Sequence, residues 1–125
     1  MGVCEQLIIT GFRRDIYELM DAADLIVFPS HLRACGRQCF EAGGMAKPII
    51  VTMPDKNTKI ILDGKTGLIL PEKRPDILGH EIATFAINQK KGKRMGQEGL
   101  KYSLKTFSAD IHAEKVMKLY DQIIQ

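Results

Sequence analysis

Residues 28–54, FPSHLRACGRQCFEAGGMAKPIIVTMP, hold a single acid, Glu41, among three fixed cations, Arg33, Arg37 and Lys47, with glycine and alanine crowding the middle. The spacing predicts a helix over 36–46, entered from a loop that ends at Gly36. The first backbone N–H groups of such a helix have no intrahelical partner and point outward at the positive end of the helix dipole. Together they suit a phosphate or a diphosphate. Gly36 lets a ligand approach the backbone closely. Arg37 in the first turn opposes the dipole unless an anion is bound there, which makes it informative. Glu41 stands about one and a half turns further on, where its carboxylate can accept two hydrogen bonds from a vicinal diol such as ribose. A buried carboxylate needs a cation or ligand donors. The alternative for Glu41 is an ion pair with Arg33, Arg37 or Lys47, and the local sequence leaves both readings open.

The other reactive side chains form no comparable pattern. His31, Cys35 and Cys39 are four apart, a spacing that would sketch a zinc site on one helix. The helix starts near residue 36, however, so the three do not share it, and a fourth ligand is missing. No metal or other cofactor is expected. Three cysteines, an odd number, without a signal-peptide pattern in MGVCEQLIIT, point to reduced thiols and a cytoplasmic location. Asp15 and Asp24 read as helix-end or surface acids, and His80 and His112 as solvent-facing. No P-loop, GxGxxG or Ser-His-Asp pattern is present.

The elements that must position the 28–54 segment follow from hydrophobic periodicity. QLIITGF (6–12), LIVF (25–28), PIIV (48–51) and GLIL (67–70) are short apolar runs closed by turn residues, and read as four buried strands. RDIYELMDAAD places Ile16, Leu19, Met20 and Ala23 on one helical face. Continuous apolar strands alternating with helices predict a parallel sheet covered on both faces, an α/β fold of Rossmann-like type. Ligands of such sheets sit outside the carboxyl ends of the strands, here Gly11-Phe12 and Pro29-Ser30. Gly43 and Gly44 each weaken a helix by roughly 1 kcal/mol, which close packing on the sheet, or a very short helix, would justify. The C-terminal part reads as helical. Leu78, Ile82 and Phe85 line a helix near 75–89. A Gly-Lys break at 92–93 precedes KRMGQEGLKYSL. A last helix capped by Ser108 has Ala113, Val116, Met117, Tyr120 and Ile124 as its buried stripe.

A chain of 125 residues, 45% hydrophobic and 26% charged, fits one globular domain. It contains no run long enough to span a membrane. A net charge of +3 without an aromatic-interleaved basic stripe argues against nucleic-acid binding. The first strand begins almost at residue 5, so the chain is expected to start inside a domain rather than at its edge.

Several of these segments, in this order, resemble the C-terminal, donor-binding domain of retaining GT-B fold glycosyltransferases, the large family 4 group that uses nucleotide-sugar donors. IITGF resembles the family's strand-Gly-aromatic signature, and DIYELMDAADLIVFPS its helix and following strand. GRQCFEAGGMAKPIIV resembles its Gly-x4-Glu-Ala helix and Lys-Pro strand. DGKTGLILP and the segment from RMGQEG to the end resemble its later loop, strand and helices. The resemblance implies that Glu41 hydrogen-bonds the donor ribose. It implies that Ala34, Cys35 and Gly36 meet the donor sugar and phosphates through backbone N–H groups. Arg37 and Gln38 would neighbour the diphosphate, Gly11 and Phe12 the base, and Ser30 and Arg33 would complete the donor site. It also implies a nucleotide-sugar such as a UDP- or GDP-sugar as partner. The acceptor-binding N-terminal domain, any peripheral membrane contact, and the family's phosphate-binding arginine and lysine are placed ahead of residue 1. This chain alone is then expected to bind donor weakly without turnover. Two departures stand out. Arg33 occupies the place of the first of two glutamates seven residues apart, and cannot accept hydrogen bonds from sugar hydroxyls. Lys59 occupies a usually acidic place. They favour a second reading, a non-catalytic nucleotide- or protein-binding domain that keeps the fold.

Overall fold

The computed structural model describes residues 4–30, 35–54, 56 and 58–124. A single 3-10 turn, Cys4–Gln6, is followed by α1 (Ile16–Ala22), β1 (Ile26–Pro29), α2 (Arg37–Gly44), β2 (Ile49–Thr52), β3 (Leu68–Leu70), α3 (Pro75–Ile87), α4 (Gln89–Phe107) and α5 (Ala109–Ile124). The three strands form one parallel sheet in the order β1-β2-β3, with Ile26 opposite Ile49 and Ile50 opposite Leu68.

β2 is buried along its whole length, because successive side chains enter two different cores. Ile49 and Val51 join Met20, Cys39, Ala42, Met53, Ile61 and Ile69 on one side. Ile50 packs with Phe85 and Met95 on the other. The expected two-faced parallel sheet is therefore present, with α2 on one face and α3 and α4 supplying the cover of the other.

α2 ends in a tight turn. The Lys47 N–H donates to Ala42 O at 2.9 Å and the Ala46 N–H to Gly43 O at 3.1 Å, the paired bonds of a Schellman motif. Ala46 sits at the left-handed position with φ 56°, where glycine is usual. Helix α4 crosses over this turn. A Cβ on Gly96 would lie 1.9 Å from the Ala46 carbonyl oxygen, and one on Gly43 would lie 2.4 Å from the Ser103 hydroxyl. Gly43, expected to fit helix to sheet, thus fits helix α2 to helix α4, while Gly44 faces open space at the helix end.

Three sequence expectations are corrected. Residues 6–12 are not a strand: no strand is assigned there, and Leu7, Ile8, Ile9 and Phe12 are between 68% and 91% exposed. An apolar run becomes a strand only where a neighbour takes its backbone hydrogen bonds, and among the described residues none does. Gly92-Lys93 does not break a helix. α4 runs through it, and Gly92 lies against the Phe85 ring and Pro48, where a Cβ would approach Phe85 Cδ1 to 3.2 Å. The interruption falls at Asn88, whose side chain accepts from the Lys91 N–H and caps α4. The stripe of α5 is exposed, with Met117 59%, Tyr120 56% and Ile124 81% accessible, because α5 packs chiefly on α4 and little else covers it. Its cap is as read: the Ile111 N–H donates to Ser108 Oγ at 3.4 Å.

Candidate functional site at the entrance of α2

The carboxyl ends of β1 and β2 and the start of α2 come together at one end of the sheet. The turn after β1 begins with Ser30, which is buried and whose carbonyl accepts from the Thr52 hydroxyl at 3.0 Å, tying β1 to β2 where both strands finish. Gly36 is the N-cap of α2, with no side-chain cap and no acid in the first turn. The N-cap residue itself therefore supplies no side chain to the leading amides of this helix. The backbone of Gly36 is ordinary extended (φ −72°). What forbids a side chain there is space, since a Cβ would lie 2.9 Å from Phe28 Cζ and 2.3 Å from Gln38 Oε1. The glycine thus seats the helix end on the Phe28 ring, a constraint distinct from the ligand approach read from the sequence.

Glu41 takes the second of its two sequence readings. Its Oε1 lies 2.9 Å from Arg37 Nε, one turn back, and accepts from the Tyr17 hydroxyl at 3.0 Å. The carboxylate is largely covered (15% exposed), whereas the Arg37 side chain is 81% exposed. A covered acid with a solvated cation over it is a pair that can open: when Arg37 rotates away, the Tyr17 hydroxyl still holds the carboxylate. Lys47, another of the three cations in reach by sequence, turns instead to α1, hydrogen-bonding the Asp21 carbonyl and lying 3.5 Å from the Asp21 carboxylate.

Beside the helix entrance is a group of sulfurs. The Cys35 thiol donates to Met53 Sδ at 3.7 Å and lies 3.6 Å from Thr58 Oγ1. Cys39, one turn into α2, is buried, and that burial pushes its thiol up to about 12, with the neighbouring Cys35 thiol adding to the effect. All three cysteines are free thiols. Among the described residues no three His, Cys, Asp or Glu side chains converge as a metal site.

Of the sequence-designated residues, the structure gathers Ser30, Cys35, Gly36, Arg37, Gln38 and Glu41 around the α2 entrance. It does not gather Gly11 and Phe12. Gly11 (φ 64°) faces open space and the Phe12 ring is 91% exposed. Their segment lacks the sheet neighbour that would bring it to the strand ends. Arg33 and Ala34, with His31, lie outside the described residues. Tyr17, Phe28, Met53 and Thr58 are additions that the sequence did not single out. Phe28 lies near the end of β1 and Met53 directly follows β2, so position near a strand end was the available signal. Tyr17 carried none, since it meets Glu41 across 24 residues. Two cavities lie away from this entrance. One, of about 350 Å³, is bounded by Leu25, Pro48, Phe85 and Lys93, and the other, of about 590 Å³, lies between Phe40, Leu104 and His112. No helix among the described residues is long and apolar enough to cross a membrane.

This architecture has close counterparts. The chain superposes on the Anabaena protein Alr3699/HepE, solved in complex with UDP and glucose, with a TM-score of 0.85 at 22% identity, covering 96% of this chain and 33% of that one. Sucrose-phosphate synthase from Thermosynechococcus elongatus gives a TM-score of 0.76 at 22% identity, covering 85% and 27%. These likenesses identify the fold as that of the C-terminal domain of GT-B proteins. In sequence, the chain is 27% identical over 109 residues to the uncharacterized glycosyltransferase MJ1178 of Methanocaldococcus jannaschii, covering 87% of this chain and 31% of that protein. It is 28% identical over 119 residues to the N,N'-diacetylbacillosaminyl-diphospho-undecaprenol alpha-1,3-N-acetylgalactosaminyltransferase of Campylobacter jejuni, covering 92% and 30%. The chain thus spans about a third of the length of these relatives. The family described as Glycosyl transferases group 1 matches residues 1–102, and the chain belongs to that family.

Proposed function

We propose that this chain is the donor-binding portion of a hexosyltransferase that moves a sugar from a nucleotide-sugar to an acceptor hydroxyl with retention of anomeric configuration. The observation that carries the proposal is the glycine N-cap of α2 at the strand ends, with no acid in the first turn of the helix, followed by the covered Glu41 carboxylate. In transfer, the bond from the sugar's anomeric carbon to the diphosphate oxygen breaks, a bond to the acceptor oxygen forms, and the acceptor's hydroxyl proton passes to the departing diphosphate. Negative charge gathers on the departing diphosphate, where the leading amides of α2 and the freely exposed Arg37 guanidinium oppose it. When Arg37 turns to the diphosphate, Glu41 is released from it and accepts from the ribose hydroxyls, with Tyr17 holding the carboxylate in place. One movement thus links phosphate and ribose recognition. No metal is required by this arrangement, because amides and a guanidinium supply the positive charge.

Turnover needs reactants held in register by two binding surfaces. The relatives are about three times longer, and we place acceptor binding, and any contact with a membrane, in portions outside these 125 residues. The chain by itself binds donor and turns nothing over. UDP and UDP-glucose are the first donors to try, given the ligands of the Anabaena neighbour. Calorimetric titration with UDP-, GDP- and ADP-glucose, on wild type and Glu41→Ala, tests the site. Binding by wild type that falls roughly tenfold or more in the variant supports ribose reading, the loss of one charge-assisted bond being worth about 1.5–3 kcal/mol. Equal affinity in both removes it.

A second reading, a non-catalytic domain that binds nucleotides or another protein, draws on the occupied state of Glu41. It predicts that Glu41→Ala, Arg37→Ala and wild type all bind UDP-glucose and UDP alike.

A further inference from the structure

A cavity of about 350 Å³ lies at the opposite end of the sheet from the α2 entrance, where β1 and β2 begin. Leu25 and Pro48, the residues that lead into those two strands, form part of its wall together with Phe85 of α3. Pro48 and Phe85 are buried, so this wall is apolar. Two cations share the lining, Lys47 from the turn that ends α2 and Lys93 from α4. Lys47 is the informative one. Its side chain is only 19% exposed, yet the Asp21 carboxylate it pairs with stands 3.5 Å away and is itself 78% exposed. A solvated partner at that distance neutralises a covered ammonium weakly, and an anion brought to it out of water does so better. Lys93 is exposed and makes no ion pair among the described residues. Asp24, the one acid in the lining, is exposed and bridges to neither lysine. A pocket of this size, apolar with a few convergent polar groups, suits a small organic molecule rather than a bare ion.

We propose that this cavity binds a small amphipathic anion, an alkyl or aryl carboxylate or phosphate, with its charged head at Lys47 and Lys93 and its apolar body against Leu25, Pro48 and Phe85. The site is separate from the α2 entrance and stands independently of the sugar-nucleotide proposal. Both halves of the ligand are needed. A wholly polar anion gains nothing from the Phe85 wall, and an uncharged apolar molecule leaves the covered ammonium no better paired. In the empty cavity the Lys47 Nζ donates to the Asp21 carbonyl of α1 as well as facing the Asp21 carboxylate. Its flexible four-carbon stem lets the ammonium leave Asp21 and meet a head group in the cavity. The ligand therefore competes with Asp21 for Lys47, and binding exchanges one anionic partner for another.

The test is calorimetric titration of the 125-residue chain with octanoate, octyl phosphate and octylammonium. An anion is expected to bind at one per chain, roughly tenfold or more tighter than the ammonium of the same chain length, and the tighter of the two anions names the head group. Lys47→Met, which keeps the apolar stem, is expected to weaken anion binding roughly tenfold, the loss of one charge-assisted bond. Lys93→Met, at an exposed position on which folding does not depend, is expected to weaken it roughly threefold. Asp21→Asn removes the competing carboxylate and is expected to tighten binding roughly two- to fivefold, a gain that a merely structural Lys47–Asp21 pair does not produce. Ala86→Phe fills the cavity from an exposed position on α3 and is expected to abolish binding. Circular dichroism verifies that each variant is folded. Octylammonium binding as well as the anions, wild-type affinity in Lys47→Met, Lys93→Met or Ala86→Phe, no tightening in Asp21→Asn, or no saturable binding of either anion below about 10 mM would each overturn the assignment. Wild-type affinity in Ala86→Phe would place the octyl chain on exposed apolar side chains elsewhere, such as those of α5.

Discussion

Replacing Gly96 by alanine sets two physical effects against each other. Glycine inside a helix is worth about 1 kcal/mol less than alanine, so propensity alone favours the change. The new methyl, however, would lie 1.9 Å from the Ala46 carbonyl oxygen and 2.7 Å from its carbon. That is about 1.4 Å inside the roughly 3.3 Å at which carbon and carbonyl oxygen meet comfortably. Neither partner is the end of a flexible side chain. Ala46 is held in the left-handed position by the Ala46-to-Gly43 and Lys47-to-Ala42 bonds, each worth about 1 kcal/mol. Relief comes from breaking one of them or from lifting α4 off α2 and its glycine contacts. Overpacking of this kind costs about 1–3 kcal/mol. With one lost bond added and the propensity gain subtracted, the net loss is roughly 1–3 kcal/mol. At about 4 °C per kcal/mol for a domain of this size, Tm falls by roughly 4–12 °C. Gly79, in the interior of α3 with nothing within 4 Å of its position, is the control. There alanine is expected to raise Tm by about 4 °C. Thermal unfolding followed by circular dichroism reads both. A Gly96→Ala protein as stable as wild type, or more so, would refute the helix-on-turn contact as the reason for the glycine.

Ala46→Gly removes a left-handed strain of about 1 kcal/mol at the turn that ends α2, and is expected to raise the urea midpoint slightly without changing the m-value. Burial resists ionisation of Asp63, but the Lys56 ammonium and the Ile69 N–H at 2.8 Å outweigh it and hold the carboxyl below its usual range. Asp63→Asn is therefore expected to lose roughly 1 kcal/mol after solvent screening is allowed for. That difference is present above about pH 4 and disappears as pH falls through the lowered folded-state pKa; an equal deficit at pH 2 and pH 7 contradicts it. Cys39, raised to about 12 against about 8.5 in an unfolded chain, supplies stability that is complete below pH 8.5 and lost as pH climbs toward 12. At pH 8, iodoacetamide is expected to modify Cys4 at once and Cys39 only after unfolding, which mass spectrometry of quenched samples reads directly.

Local pattern was informative wherever one element settled its own state. The alternation of apolar runs and helices gave β1, β2, β3 and α1 to α5 their order, and Ser108 marked the start of α5. It was uninformative where the outcome depended on a distant partner. QLIITGF has every property of a strand except a neighbour. Gly92 looks like a break until the Phe85 ring is placed against it. The apolar side of α5 predicts burial but names nothing to bury it against. At the site, Gly36 and Glu41 were found because their types at that spacing are unusual. The Arg37–Glu41 pair follows from i,i+4 spacing within α2, whereas Tyr17 joining it depended on how α1 lies beside α2, a relation that no periodicity along the chain encodes.

The sheet draws its solidity from β2, sandwiched between two strands and two cores, while the residues before α1 and the whole of α5 rest on little. Cohesion is thus graded from the middle outward. Amide protons of Ile50 and Val51 should be the last to exchange with deuterated solvent, and those of residues 6–12 and 115–124 the first. A protease given time would pare the chain toward a remnant running from β1 to the end of α4. That remnant still contains the α2 entrance, so the surface assigned to ligand recognition belongs to the most persistent part of the molecule.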